Sequence, residues 1–173
     1  MTVLLRTGVA EDFAQVGPLH YRSRATAYAE FLPPEALTFG SPDALREWWT
    51  ERWRWERDTH RFAVAADGHR IVGFTYLGPG EEPGVVELSA IHVVADRIGT
   101  GVGRLLMIDA LPHLGDHGVL WVLDGNERAR RFYERGGWRP DGTTRDAPIG
   151  TVITHQLRYS LVRKGGGRER ETE

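Results

Sequence analysis

Between an apolar run, Val85–Val94, and a helical pattern, Leu105–Leu114, the chain reads Arg97-Ile98-Gly99-Thr100-Gly101-Val102-Gly103-Arg104, with glycine at every second position of the turn. Strand, glycine turn and helix together make an anion-binding architecture. The glycines let the backbone turn tightly and aim its N–H groups at one point, and the following helix adds the positive end of its dipole. A phosphate-bearing ligand is the expected occupant. Two commoner phosphate motifs fail on spacing. A G-x-G-x-x-G dinucleotide fingerprint starting at Gly99 needs glycine where the chain has Arg104, which disfavours a nucleotide-binding oxidoreductase even though Asp124 loosely meets the later acidic requirement. A P-loop needs G-K-[S/T] at its helix start, and the only lysine is Lys164, near the C-terminus.

The 173 residues suit one domain with a substantial core. With 22 basic and 24 acidic residues the formal charge is −2, which gives no general electrostatic reason to bind nucleic acid or an anionic membrane, so a small-molecule partner is expected. The absence of cysteine excludes disulfides, thiolate metal sites and a covalent cysteine intermediate. A basic leader with a long apolar core is missing, as is any run of eighteen apolar residues, and the expectation is a cytoplasmic protein. His113 and His117 have i, i+4 spacing, but there is no H-E-x-x-H glutamate and Gly115 interrupts the helix between them. They read as surface histidines, and no metal is expected.

The elements that must position the glycine turn follow from periodicity. A short strand over Val3–Arg6 precedes a helical pattern over Glu11–Ala29, which Pro33-Pro34 breaks. Ser41-Pro42 is a helix start, with a hydroxyl cap and proline at the first position, and Leu45, Trp48, Trp49 and Trp53 continue at helical spacing. Phe62–Ala66 and Ile71–Leu77 flank Asp67-Gly68 as a hairpin, and residues 78–84 read as a loop. Val85–Val94 is a central strand, Gly101 to about Leu111 a helix that Pro112 ends, and Val119–Leu123 a short buried strand. Asn126 caps a helix running to Arg135 that Gly136 closes. A loop rich in Gly, Thr and Asp leads to a last strand over Thr151–Leu161. Residues 164–173 are charged and glycine-rich and read as a disordered tail behind a single domain over 1–163.

In the order of these elements and in two motifs the chain resembles the GCN5-related N-acetyltransferase (GNAT) family. One motif is Leu88-Ser89-Ala90-Ile91-His92-Val93 followed by Gly99-Thr100-Gly101-Val102-Gly103, similar to the family's acetyl-CoA strand and pyrophosphate loop. The other runs from Asn126 through Ala129, Phe132-Tyr133-Glu134 and Gly137-Trp138, similar to the family's N-x-x-A-x-x-F-Y-E-x-x-G-F/W signature. The resemblance implies an α/β fold of the α+β kind, a mixed, mostly antiparallel sheet of six to seven strands with helices on both faces. It also implies acetyl-CoA as cofactor, held by Ile91, Val93, Ile98, Gly99, Thr100, Gly101, Val102, Gly103, Arg104, Asn126 and Tyr133. Two departures stand out: Ile98 replaces the family's usual Arg or Gln, and Ala95 its frequent Pro. Backbone amides do most of the phosphate binding, so the expected cost is a weaker affinity, with Arg97 or Arg104 supplying the charge.

Acetyl transfer to an amine requires a neutral amine, stabilisation of the oxyanion and protonation of the departing thiolate. By the resemblance, Glu87 stands where many relatives keep a carboxylate base, with His92 second in line, although its alternation with Ile91 and Val93 turns it to the other side of the strand. The resemblance also implies that a backbone N–H near Val93 meets the oxyanion, where relatives' strand splays from its neighbour. Tyr133 matches the tyrosine that relatives place beside the sulfur, and its phenol can donate to a thiolate without ionising first. The expected reaction is direct attack by the primary amine of a small molecule in a ternary complex. The alternatives are a non-catalytic acyl-CoA-binding regulatory domain and a protein N-terminal or lysine acetyltransferase. Trp48, Trp49, Trp53 and Trp55 exceed what one helix face buries, so at least one is expected at the acceptor cleft or at a homodimer contact, relatives being frequent dimers.

Overall fold

A computed structural model describes residues 2–163; the tail expected over 164–173 lies outside the described residues. The elements are β1 (Leu4–Thr7), α1 (Phe13–Tyr28), α2 (Pro34–Leu37), α3 (Pro42–Glu56), β2 (Arg61–Asp67), β3 (Arg70–Pro79), β4 (Val86–Val93), α4 (Val102–Ala110), β5 (His117–Leu123), α5 (Glu127–Arg135), β6 (Arg139–Ile149) and β7 (Val152–Val162). The helix signals behave as their chemistry requires. Ser41 Oγ accepts from the Ala44 N–H at 3.0 Å, and Asn126 Oδ1 from the Ala129 N–H at 3.2 Å. At the end of α5, Gly136 keeps φ −81 and it is Gly137 that takes the left-handed conformation, with φ 90, one residue later than expected.

The strands form one seven-stranded sheet in the order β1-β2-β3-β4-β5-β7-β6. Every neighbouring pair is antiparallel except β4 and β5. On one face α1 and α3 press Phe13, Val16, Leu19, Trp49 and Trp53 onto Phe62, Phe74, Tyr76 and Ala90. On the other, Met107 and Ala110 of α4 and Ala129, Phe132 and Tyr133 of α5 cover Leu77, Leu88, Leu120, Val122 and Tyr159. Fully burying one such large side chain is worth roughly 1.5–3 kcal/mol, so both aprons are firmly fixed.

Two expectations need correction. The loop expected after Gly136 is mostly β6, an eleven-residue edge strand whose register with β7 shifts between Pro140 and Thr144, with Gly142 at φ 88. Nearly all of β6 is exposed, so it needs no apolar alternation, and an outer strand tolerates Pro140 and Pro148 because one row of its N–H groups is unpaired anyway. Strand β3 likewise continues through Gly78 and Pro79, paired with Glu87 and Val86.

The feature that positions the site is the contact between β4 and β5. They pair only at Val86↔Gly118 and Glu87↔Val119, then diverge as β4 runs on to Val93 and β5 to Leu123. On the far edge of β4, the Val94 N–H donates to Val72 O at 3.0 Å. Alternation along the strand therefore turns the Val93 N–H into the gap.

Candidate active site

The gap opens into a cleft of about 1010 Å³ that reaches from the glycine turn to the start of β4. At the glycine end, Gly99 and Gly101 have φ 78 and 96, a conformation open to glycine at little cost. The first helical bond of α4 runs from the Leu105 N–H to Gly101 O. The amides of Gly99, Gly101, Val102, Gly103 and Arg104 find no acceptor among the described residues. Gly103 differs from the other two. It is helical, and a Cβ there would sit 3.6 Å from the Phe132 ring in ordinary contact. Nothing in the chain itself requires a glycine at that position, and close approach of a ligand is what remains to explain it.

Side chains around this end add positive charge. Arg104, Arg128 and Arg135 line the cleft and form no ion pair among the described residues. Arg97 lines it too, but its guanidinium is engaged by Asp67 and lies 3.9 Å from Asp96, so it is not a free substitute for the side chain missing at Ile98. Ile98 itself borders the cleft, 38% exposed. Thr100 is not among the cleft's lining residues; its hydroxyl donates to Arg97 O at 2.7 Å and braces the turn.

Midway along, Ile91 and Val93 point to the α4 face, packing with Val102 and Leu106. His92 points to the opposite face, where its Nδ1 lies 2.8 Å from Ser23 Oγ and its ring 4.3 Å from that of His20. Burial, with the nearby Arg24 guanidinium, lowers the His92 pKa to about 4, so its ring is neutral at physiological pH. Tyr133 reaches the cleft from α5, and its hydroxyl makes no hydrogen bond among the described residues. Burial, then the neighbouring Tyr28, raises its pKa, which keeps the phenol protonated. Asn126 is spent on its helix cap through Oδ1, with its side chain at the cleft wall.

Glu87 stands at the far end and is the only carboxylate lining the cleft among the described residues. Desolvation raises its pKa, opposed by the charges of Arg145 and Arg52 and reinforced by Glu81. Behind it a smaller hollow of about 250 Å³ is bounded by Arg52, Glu56, His60 and Glu81, and shares Glu87 and Ser89 with the cleft. Its one guanidinium is already paired: Arg52 Nε donates to Glu56 at 2.6 Å, and the Tyr76 hydroxyl donates to the same oxygen at 2.9 Å. Ser89 is the extra residue of a bulge in the β3–β4 ladder, and its hydroxyl donates to Tyr76 O at 3.2 Å.

The expectation for the α3 tryptophans fails at the cleft. Trp49 and Trp53 pack into the core, Trp48 and Trp55 are exposed, and none of the four lines the cleft. The tryptophan that does line it, beside the buried Trp138, is Trp121 of β5, with the Arg145 guanidinium 4.1 Å from its ring centre. Sequence reading missed Ser23, Trp121, Arg145 and Gln156. Arg145 and Gln156 sit on strands whose pairing was not legible, and Ser23 and Trp121 carry no motif.

Comparison with known proteins bears on this arrangement. Over 167 residues the chain is 28% identical to a probable N-acetyltransferase of Mycobacterium tuberculosis, covering 93% of this chain and 94% of that protein. It is 34% identical over 107 residues to a mycothiol acetyltransferase of Rhodococcus jostii, covering 52% of this chain but only 35% of that longer protein. Among solved structures, the PaiA N-acetyltransferase of Thermoplasma acidophilum, in complex with coenzyme A, superposes with TM-score 0.77 at 15% identity, covering 94% of this chain and 100% of that chain. A GCN5-related N-acetyltransferase from Rhodopseudomonas palustris gives TM-score 0.73 at 20% identity, covering 94% and 97%. The sequence profile of the acetyltransferase (GNAT) family matches residues 25–138, and the chain belongs to that family.

Proposed function

We propose that this acetyltransferase moves an acetyl group from acetyl-CoA to the primary amine of a small molecule, by direct attack in a ternary complex, within one domain spanning residues 1–163 of a cytoplasmic protein. The observation that carries the reading is the gap between β4 and β5, which joins a cradle of open amides to a half-buried carboxylate. Among the described residues no helix is long and apolar enough to cross a membrane.

The residues present fit the cofactor. Five unspent amides at a helix start, with Arg104, Arg128 and Arg135 around them, match the charge and acceptor oxygens of a diphosphate, and Gly103 leaves room for it. Ile91 and Val93 form an apolar wall along the gap, suited to a pantetheine arm. When bound, acetyl-CoA supplies an acyl thioester, a reactive carbonyl with a thiolate leaving group.

The chain's own residues supply the rest. Glu87 takes the proton from the incoming ammonium, because its raised pKa brings it closer to the amine than an exposed carboxylate would be. His92 is the poorer base, since burial moves its pKa the wrong way, to about 4; it holds Ser23 and shapes the wall. The Val93 N–H is a fixed donor facing the gap, where charge on an acyl oxygen is best stabilised. Tyr133 keeps its proton in the buried wall and gives it to the departing sulfur.

The test is thiol release from acetyl-CoA across a panel of primary amines, alongside calorimetric titration with coenzyme A. Release that depends on an amine is expected. Tight coenzyme A binding with no release for any amine would establish the non-catalytic acyl-CoA-binding alternative instead.

A further inference from the structure

Beyond the glycine turn, the charges that line the cleft are uneven. The only acid is Glu87, and at its end of the cleft one guanidinium has no carboxylate partner among the described residues: Arg145 of β6. Sheet register places the two on one face. Glu87 pairs with Val119 on β5, and Trp121 lies two residues on. Trp121 pairs with Arg158 on β7, Gln156 lies two residues from Arg158, and Gln156 pairs with Arg145. Partners across a ladder share a face, as do residues two apart, so Glu87, Trp121, Gln156 and Arg145 all point the same way.

The guanidinium is held rather than loose. Its plane lies over Trp121 at 4.1 Å, and its Nε donates to Gln156 Oε1 at 2.9 Å, leaving both terminal nitrogens free. Two parallel N–H donors on a fixed plane fit a carboxylate. Other nearby cations are spent: Arg52 on Glu56, and Arg158 on Glu82 and Asp141. Glu87 and Trp121 stand one strand and two residues apart where β4 and β5 have begun to diverge, so they are separated by at least the roughly 8 Å of a regular ladder, with the side chains of both facing the opening between them.

The geometry points to an acceptor that carries its own carboxylate, an amino-acid-like amine whose ammonium meets Glu87 while its carboxylate is clamped by Arg145 on the Trp121 platform. This deepens the acetyltransferase reading and rests on it. A second amine in place of the carboxylate would be repelled by the same guanidinium, so diamines are disfavoured.

The experiment compares the L-amino acids with their carboxamides, and with short diamines, in the wild-type protein and in Arg145→Gln. Turnover is read as thiol release, and binding is read separately by calorimetry in the presence of coenzyme A. The wild type is expected to favour at least one free acid over its carboxamide by 10-fold or more in kcat/KM, carried by KM. In Arg145→Gln that ratio should fall to near one. Calorimetry should show the same acid binding to the wild type and at least 10-fold more weakly to the variant, whether or not turnover occurs, which separates this inference from the activity it rests on. A preference for carboxamides or diamines, a ratio unchanged in Arg145→Gln, or no binding of any free acid would overturn it.

Discussion

The two ends of the cleft are built from different materials. At the glycine turn the unpaired groups open to the cleft are mostly backbone amides, and their geometry is set by the left-handed φ of Gly99 and Gly101. At the other end the polar lining is made of side chains drawn from separate strands, Glu87, Arg145 and Gln156, beside Trp121. A backbone site tolerates side-chain drift such as Ile98 but not an added Cβ. A side-chain site behaves the opposite way, since each group is individually replaceable and individually decisive.

Substitutions can break this contrast or sharpen it. The largest effect is expected from Tyr133→Phe, which deletes a proton donor and little volume: kcat should fall about 100-fold, with KM for acetyl-CoA nearly constant. Unchanged turnover in steady-state kinetics would remove Tyr133 from the acid role. Next, Gly101→Val forces a β-branched residue to φ 96, where L residues lose about 1–2 kcal/mol or more. It should weaken coenzyme A binding at least 10-fold in calorimetry while the acceptor end keeps its preferences.

Glu87→Gln should lower kcat/KM for the amine by roughly 10- to 100-fold. In the wild type the rate should climb as pH rises through the raised pKa of Glu87, and in the variant that limb should vanish. Stability moves the other way. A carboxyl whose pKa is higher folded than unfolded contributes most below its unfolded value, and loses that contribution as pH rises through the folded value. Glu87→Gln is therefore expected to raise Tm at pH 7–8 in a thermal melt while lowering activity, a trade-off that an ordinary strand glutamate would not show.

Gly103→Ala is the sharper test of the backbone end. The position is helical and the new methyl meets only ordinary contact, so stability should hold or rise by up to about 1 kcal/mol, while coenzyme A affinity falls several-fold. Equal loss of both would mean that Gly103 serves the fold. The smallest effect belongs to Ile98→Arg, which puts a cation where the resemblance to the family implies Arg or Gln: a gain of about 3-fold in coenzyme A affinity, fading with added salt.

Legibility in the sequence divides along the same line. The glycine turn, the Ser41 and Asn126 caps and strand β4 were all readable because local chemistry determines them: φ, a hydroxyl or amide beside free N–H groups, an apolar run. Strand β6 was not readable, because an exposed edge strand with two prolines has the composition of a loop. The four-tryptophan helix does not reach the cleft, which was unreadable for a related reason. Its spacing shows that one face is buried, but not that the cleft lies elsewhere, beside a tryptophan with no motif around it.

Taken alone, the sequence determined the family, the glycine turn and the identity of the groups on β4 and α5, because these are encoded within windows of a few residues. The tertiary structure alone decided that Arg97 is spent on Asp67, that His92 is buried against Ser23, and that Arg145 and Glu87 share one sheet face. Those facts depend on which strands are neighbours and in what register. Bringing residues 58 positions apart, as Glu87 and Arg145 are, onto one sheet face through two intervening strands is set by the packing of the whole sheet and leaves no local pattern to read.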